Sequence, residues 1–376
     1  MLINEIPDDC LLTIFDHLVN AHDLINCYKV CAKWSYLIAK RTKKVKYLIR
    51  WPFHPSDAVY YDTLRSIDST CLSILFTNLI IVDVPDFQYK DAIKFLKKQE
   101  SLKGLINDTI KPMEAYCYNT SILEMLSVYY FNPNNLRNGS SLKQLDVGGY
   151  SLEALGRDAH YLPNLERLRI QIDVPDKHYD GPVLEKLKIL ELHYEGHGKI
   201  FYGFQLMDSC PNLQSAHIFM RPDTWVFDET LKHKCLRDLV IQYYGSACKN
   251  GNNNLIDLQR LLMKYPNLKH LALRDTWNIK DEHIEQLVHI LPNLVLWDVR
   301  KCAGVTRRAA DYVKDYCKRY GRSIVFYYNG NGNEIKSDWL QLSTKPQKIS
   351  RGFDFMKHCF LKDFRFLSPL LIPIDY

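Results

Sequence analysis

A phrase of the form Leu-x-x-Leu-x-Leu recurs along the chain and constrains its fold more than any other feature. Its clear copies start at Leu123, Leu142, Leu165, Leu187, Leu213, Leu236, Leu268 and Leu294, with weaker ones at Leu79 and Leu102. Most intervals are near the roughly 20–29 residues of a unit with one strand and one helix. The longer step from Leu236 to Leu268 contains the Gly/Asn-rich run Gly245–Asn254, which reads as an inserted loop. Pro-Asn-Leu marks the register at Pro163, Pro211, Pro266 and Pro292. Apolar helix-like stretches, such as Leu258–Tyr265 and Ile284–Leu291, precede it, and the proline stops each helix just before the next strand. The expected fold is α/β: a curved stack with parallel strands inside and helices outside.

Strand side chains alternate between faces. The repeated Leu, Val and Ile positions therefore point into the core of the stack, and the residues between them line its inner face. Those residues are Tyr129, Gln144, Asp146, Arg167, Arg169, Gln171, Glu191, His193, His217, Phe219, Gln242, His270, Arg274, Asp298 and Arg300. Arginines and aromatics are common anchors of protein interfaces. Tyr129, Arg167, Arg169, Glu191, His193, His217, Phe219, Arg274 and Arg300 are accordingly the candidate residues for binding a protein client.

Before the repeats, two short amphipathic helices are expected. Pro7 suits a first helical turn, and Asp8 and Asp9 place negative charge at its positive end. Leu11, Ile14, Phe15 and Leu18 share one face. Asp23 is the expected cap of a second helix with the stripe Leu24, Cys27, Cys31, Trp34 and Ile38. About 40 residues bury too little to stand alone, so part of this surface should face a partner or the next domain.

In order and spacing, Pro7, Asp9, Leu11, Leu12, Ile14, Phe15, Leu18, Asp23, Leu24, Val30, Cys31 and Trp34 resemble the F-box, with Ile6 and Asp9 where Leu and Glu are usual. The repeats resemble the cysteine-containing leucine-rich repeat that often follows an F-box; Cys302 with Val305-Thr306 fits its ending, which the other units lack. The resemblance implies a substrate receptor of a ubiquitin ligase. Such a receptor docks Skp1 and, through it, a cullin–RING core. It implies Skp1 contacts by Pro7, Leu11, Leu12, Ile14, Phe15 and Leu18, and further by Leu24, Val30 and Trp34, with Trp34 foremost among those that double as internal core. The competing reading is a helical cap on the open end of a repeat stack.

The expected organisation is a helical domain at 1–48, a linker with first helical elements at 49–74, repeats at 75–328 and a tail at 329–376. A last strand is expected at Ile324–Tyr328, and Asn329–Asn333 reads as a turn. The tail carries Phe353, Phe355, Phe360, Phe364, Phe366, Leu367, Leu370 and Leu371, too apolar for a disordered end. It should either cap the stack or fold back along the inner face and restrict the client site.

Eleven cysteines without paired spacing, and a start lacking a basic, apolar leader, indicate a reducing cytoplasmic or nuclear setting. No stretch reaches the roughly 18 apolar residues of a membrane helix. Lys40, Arg41, Lys43, Lys44, Lys46 and Arg50 form a basic cluster, read as a solvated face; a net charge of +6 is modest for a dedicated nucleic-acid binder. The Asn329–Asn333 glycines lack the Lys-Ser or Lys-Thr of a phosphate loop. His193 and His197 have the spacing of a helical metal pair but lie at a strand without a completing Cys or acid, so no metal or other cofactor is expected. Cys31 and Cys302 fall at packing positions, and no catalytic constellation stands out. The chain reads as a non-catalytic adaptor. A protein-interaction scaffold without a ligase role, and an RNA-associated repeat protein, are the other classes these features admit.

Overall fold

The computed structural model describes residues 5–50, 57–62, 67–84, 94–107, 123–136, 138–172, 177–194, 200–221, 224–244, 255–276 and 278–376. The loop at 245–254 and His197 lie outside them. The chain falls into two compact units. The first contains residues 1–142, 347–351 and 372–376, and the second 143–346 and 352–371. The division falls inside the strand series rather than at its start.

The first unit begins with three helices where two are expected: α1 (Asp8–Asp16), α2 (Ala21–Tyr28) and α3 (Ala32–Thr42). Asn20, not Asp23, caps α2, its side chain accepting from the His22 N–H at 2.8 Å. The long second helix breaks because Cys31 adopts an extended conformation and starts α3. Ser35 Oγ secures the break by donating to the Tyr28 carbonyl at 2.5 Å. Phe15 of α1 packs edge-on against Trp34 of α3, with ring centroids 5.1 Å apart.

Five parallel strands follow in this unit: β1 (Tyr47–Arg50), β2 (Ala58–Tyr61), β3 (Ile81–Asp83), β4 (Gly104–Asn107) and β5 (Met125–Val128). Their order is β5-β4-β3-β1-β2. The β2 edge is covered by the link between the first two helices, where the Tyr60 N–H donates to the Val19 carbonyl at 2.8 Å. This pairing consumes edge groups that would otherwise invite another chain and ties the helices to the sheet.

In the second unit each further Leu-x-x-Leu-x-Leu phrase lies on a strand. These are β6 (Gln144–Val147), β7 (Arg167–Ile172), β8 (Ile189–Tyr194), β10 (Ser215–Met220), β12 (Asp238–Tyr243), β13 (His270–Arg274) and β14 (Leu296–Asp298), with β15 (Val325–Tyr327) last. Neighbours pair in parallel in that order. A two-strand side ribbon joins β9 (Ile200–Phe201) and β11 (Thr224–Trp225). Helices Gly203–Asp208, Leu255–Leu262, Asp281–Ile290 and Arg307–Tyr320 intervene between strands. The last ends on Gly321 at φ 63°, a left-handed stop that glycine adopts without a Cβ clash.

The Pro-Asn-Leu marker has a structural reason. Asn212, Asn267 and Asn293 donate from Nδ2 to the carbonyls of Glu185, Lys234 and Pro266, at 2.8, 2.8 and 2.9 Å. Each asparagine thus satisfies a backbone acceptor of the preceding repeat.

Lys264, fully buried, donates to Asp208 Oδ1 at 2.5 Å, and His233 Nε2 lies 3.1 Å from the same oxygen. The other Asp208 oxygen accepts from the Asp228 N–H at 2.7 Å. Removing one partner of a buried pair leaves an uncompensated charge. Asp208→Ala should therefore cost about 3–5 kcal/mol, read as a lower urea midpoint with an unchanged slope; a shift below about 1 kcal/mol, the range of surface pairs, would contradict this role.

Candidate functional site

Two surfaces gather the residues singled out in the sequence. On the helices, α1 and α2 divide into an inside and an outside. Leu11, Phe15 and Leu24 are buried core. Pro7 is exposed, and Leu12, Leu18 and Trp34 are half-buried. Ile14 and Val30 are the notable pair, 48% and 57% exposed. With Val19 and Tyr36, also exposed, they leave the helices apolar on the outside as well as the inside. Thus the resemblance lists as contacts three residues, Leu11, Phe15 and Leu24, that are internal here.

Two of the six residues of the basic cluster at α3 and just after it are drawn into internal ion pairs. Arg41 is buried and pairs with Asp16 at 3.0 Å, and Arg50 pairs with the buried Asp83 at 2.7 Å. Lys40, Lys43 and Lys44 alone of the six are exposed. An electrostatic footprint for nucleic acid needs more than that.

The second surface is the inner face of the second unit's sheet. The register aligns Asp146, Arg169, Glu191 and His217 across β6, β7, β8 and β10. Gln171, His193, Phe219, Gln242 and Arg274 form the next row. Most of the candidate client-binding residues are withdrawn from solvent. Arg167, Glu191, His193, His217, Phe219 and Arg274 are all buried, while Arg169 and Arg300 are half-buried. Tyr129 is half-buried and belongs to the first unit, where it packs edge-on against Tyr130.

The C-terminal segment covers this face. Phe355, Cys359, Phe360, Leu361, Phe364, Leu367 and Leu371 form one cluster with Ile189, Phe219, Val240, Ala272, Leu296 and Tyr327 of the sheet. Of the two roles open to the tail, lying along the inner face is the one observed for residues 355–371. The sequence held a further signal: Ile189, Val240, Ala272 and Leu296 occupy inner-face positions, and apolar side chains there need a cover.

The charged groups on the face are paired with one another, and several also bond the segment. Arg167 Nη2 bonds Glu191 at 2.7 Å and the Ser368 carbonyl at 2.6 Å, and Nη1 bonds the Pro369 carbonyl at 2.8 Å. Arg274 bonds Asp298 at 2.6 Å and the Phe360 carbonyl at 2.7 Å. Arg300 also holds Asp298, at 2.8 Å, and Arg169 holds Asp146, at 3.0 Å. Burial alone would raise the Asp298 carboxyl, but Arg274 and Arg300 outweigh it and hold it below the usual carboxylate range. Cys359 donates to Glu191 at 3.3 Å, and burial, with that carboxylate, pushes its thiol well up. A nucleophile needs the opposite shift.

Phe364 sits over two histidines, with centroids 5.1 Å from His193 and 5.6 Å from His217. Burial lowers His193 to about 4, assisted by Arg169, and His217 to about 3, assisted by Arg274. Among the described residues, no group of three or more His, Cys, Asp or Glu could hold a metal, and no helix is long and apolar enough to cross a membrane.

Comparison with known proteins adds two findings. Residues 3–42 match the F-box-like family model. No curated protein matches the chain. Among solved structures, one similar chain comes from the crystal structure of the Rad7 and Elc1 complex in yeast, at 17% identity and a TM-score of 0.39, covering 80% of this chain and 90% of that one.

Neutral in the fold and near 6.5 when unfolded, His193 and His217 bind more protons in the unfolded chain between about pH 4 and 6.5. Stability therefore falls as pH drops through that window. Unfolding free energies from denaturant titrations at pH 7.5 and pH 5 should differ by on the order of 4 kcal/mol. A His193→Gln/His217→Gln variant should lose most of the difference; an unchanged difference would contradict the assignment.

Proposed function

We propose that the chain is a non-catalytic receptor subunit of a Skp1–cullin–F-box ubiquitin ligase. Its first helices dock Skp1, and the second unit, read as a leucine-rich-repeat stack, holds a protein client. The observation that carries the reading is the exposure of Ile14 and Val30 at F-box positions, within the segment that matches the F-box-like model. A helix pair serving only as a cap would turn those side chains inward. The partner surface is centred on Pro7, Ile14 and Val30, flanked by Leu12, Leu18 and Trp34, while Leu11, Phe15 and Leu24 support it from beneath.

Such a receptor contributes by positioning. Holding a client near a ubiquitin-loaded enzyme elsewhere in the complex raises the effective concentration of its lysines. The pairing of Val19 with the β2 edge suits this role, because it fixes the docking helices on a folded sheet. Setting and mechanism go together: a reducing cytoplasmic or nuclear compartment is proposed, and the described cysteines are free thiols.

Purified full-length chain should capture Skp1 in a pull-down. Ile14→Asp and Val30→Asp should each weaken capture at least about tenfold, as loss of an interface anchor does, with an unchanged melting curve. Leu11→Ala should instead lower the melting temperature. Capture unaffected by both aspartates, or absent in the parent chain, would move the scaffold reading to first place.

A further inference from the structure

The contacts that hold residues 355–371 on the sheet are of two kinds. The first grips main chain. The Leu371 N–H donates to Gln144 Oε1 at 3.0 Å, and Gln144 Nε2 donates back to the Leu371 carbonyl. Arg167 donates to the carbonyls of Ser368 and Pro369, and Arg274 to that of Phe360. A donor aimed at a carbonyl fixes a backbone without reading which residue carries it.

The second kind receives side chains at fixed spacing. Phe364 lies against His193, His217 and Phe219, with the Arg169 guanidinium 5.2 Å from its ring centre. Phe360 lies 5.4 Å from the Arg274 guanidinium. The Asp363 carboxylate accepts from Gln242 Nε2 at 2.8 Å.

Two layers of a core need no such arrangement. Burying amide and guanidinium groups costs desolvation, which apolar packing avoids. Gln144, Arg167, Gln242 and Arg274 are all buried, and every one of them bonds the covering segment. Backbone clamps combined with spaced side-chain pockets are how peptide-recognition surfaces are built.

We propose that the inner sheet face of the second unit is a peptide-binding groove occupied in cis by residues 355–371. The partner it takes in trans is a peptide of the same pattern: two aromatics four residues apart, an acid just before the second, and leucines three and seven residues beyond it. This deepens the client half of the reading above and does not rest on Skp1 docking. The segment is entered through the exposed turn Thr344-Lys345-Pro346 and then Gly352, whose φ of 102° is one that glycine adopts readily. A client carrying the pattern competes with a tethered copy, so its apparent affinity is set by displacement of that copy.

The test uses the full-length chain with a site-specific protease sequence inserted between Thr344 and Lys345. Cutting leaves the C-terminal piece held without a covalent link. A fluorescent peptide spanning residues 352–376 is then followed by anisotropy, with circular dichroism and Skp1 capture measured on the same samples. The cut, folded chain should take up the peptide, and the uncut chain should bind it about a hundredfold more weakly. A peptide with Phe360→Ala and Phe364→Ala should bind the cut chain about a hundredfold more weakly than the parent peptide. A cut chain that stays folded without taking up peptide, or unfolds once the piece leaves, would overturn the proposal and make the segment a permanent layer of the core. Failed uptake with Skp1 capture intact defeats this inference alone; lost capture with uptake intact defeats only the docking assignment.

Discussion

A sheet of parallel strands has two faces to bury, and in the second unit one is covered by the repeats' own helices and loops and the other by residues 355–371. Both faces of β8, β10 and β12 are therefore inaccessible, and their side chains are buried at every position. Two-sided burial is the usual condition of a parallel sheet. Here it decides the chemistry of the face. Arg167, Arg274 and Asp298 would be ordinary solvated groups on an open sheet. Beneath the covering segment each must be paired, and the structure pairs each one. Such ion pairs are poor sources of net stability, because desolvation offsets most of the attraction. They fix where the segment lies; the apolar cluster around Phe364 and Phe360 supplies the driving force. At about 1.5–3 kcal/mol for each fully buried large side chain, those two rings alone outweigh several surface ion pairs.

The strand series was legible in the sequence because it rests on period. Each Leu-x-x-Leu-x-Leu phrase commits alternate side chains to one core, and no other element type satisfies that spacing. The prolines that end the preceding helices and the asparagines beside them were equally readable, although the carbonyl each asparagine satisfies becomes visible only in three dimensions. The helical segment was readable as a composition of faces but not as a division of labour. Leu11 and Ile14 belong to the same apolar stripe, and only packing against α3 makes one core and the other surface. The break between α2 and α3 was missed because it depends on the extended conformation of Cys31 and the bond from Ser35 to Tyr28, which leave no periodic trace.

The covering segment shows where local reading stops. Its apolar content announced that it packs, but its destination depends on contacts across roughly 90 to 230 residues of sequence, such as Phe360 with Arg274 and Leu371 with Gln144. The inner face was read strand by strand, as cationic and aromatic. Read across the register, Ile189 and Leu296 share one row with Arg167, and Val240 and Ala272 share the next with Glu191 and His217, and apolar side chains spread over that face demand a cover. The same lesson applies to Arg41 and Arg50, which count toward a basic cluster in sequence and toward internal ion pairs in space.

Ligase docking, on this account, is confined to the outer seam of three short helices already anchored to a sheet. Hydrogen exchange of the full-length chain, measured with and without Skp1, tests that claim most directly. Amides of α1, the α2–α3 break and the start of α3 should exchange more slowly in the complex, while those of β8, β10 and the covering segment should be unchanged. Equal rates over residues 7–36 in the presence of saturating Skp1 would contradict the account.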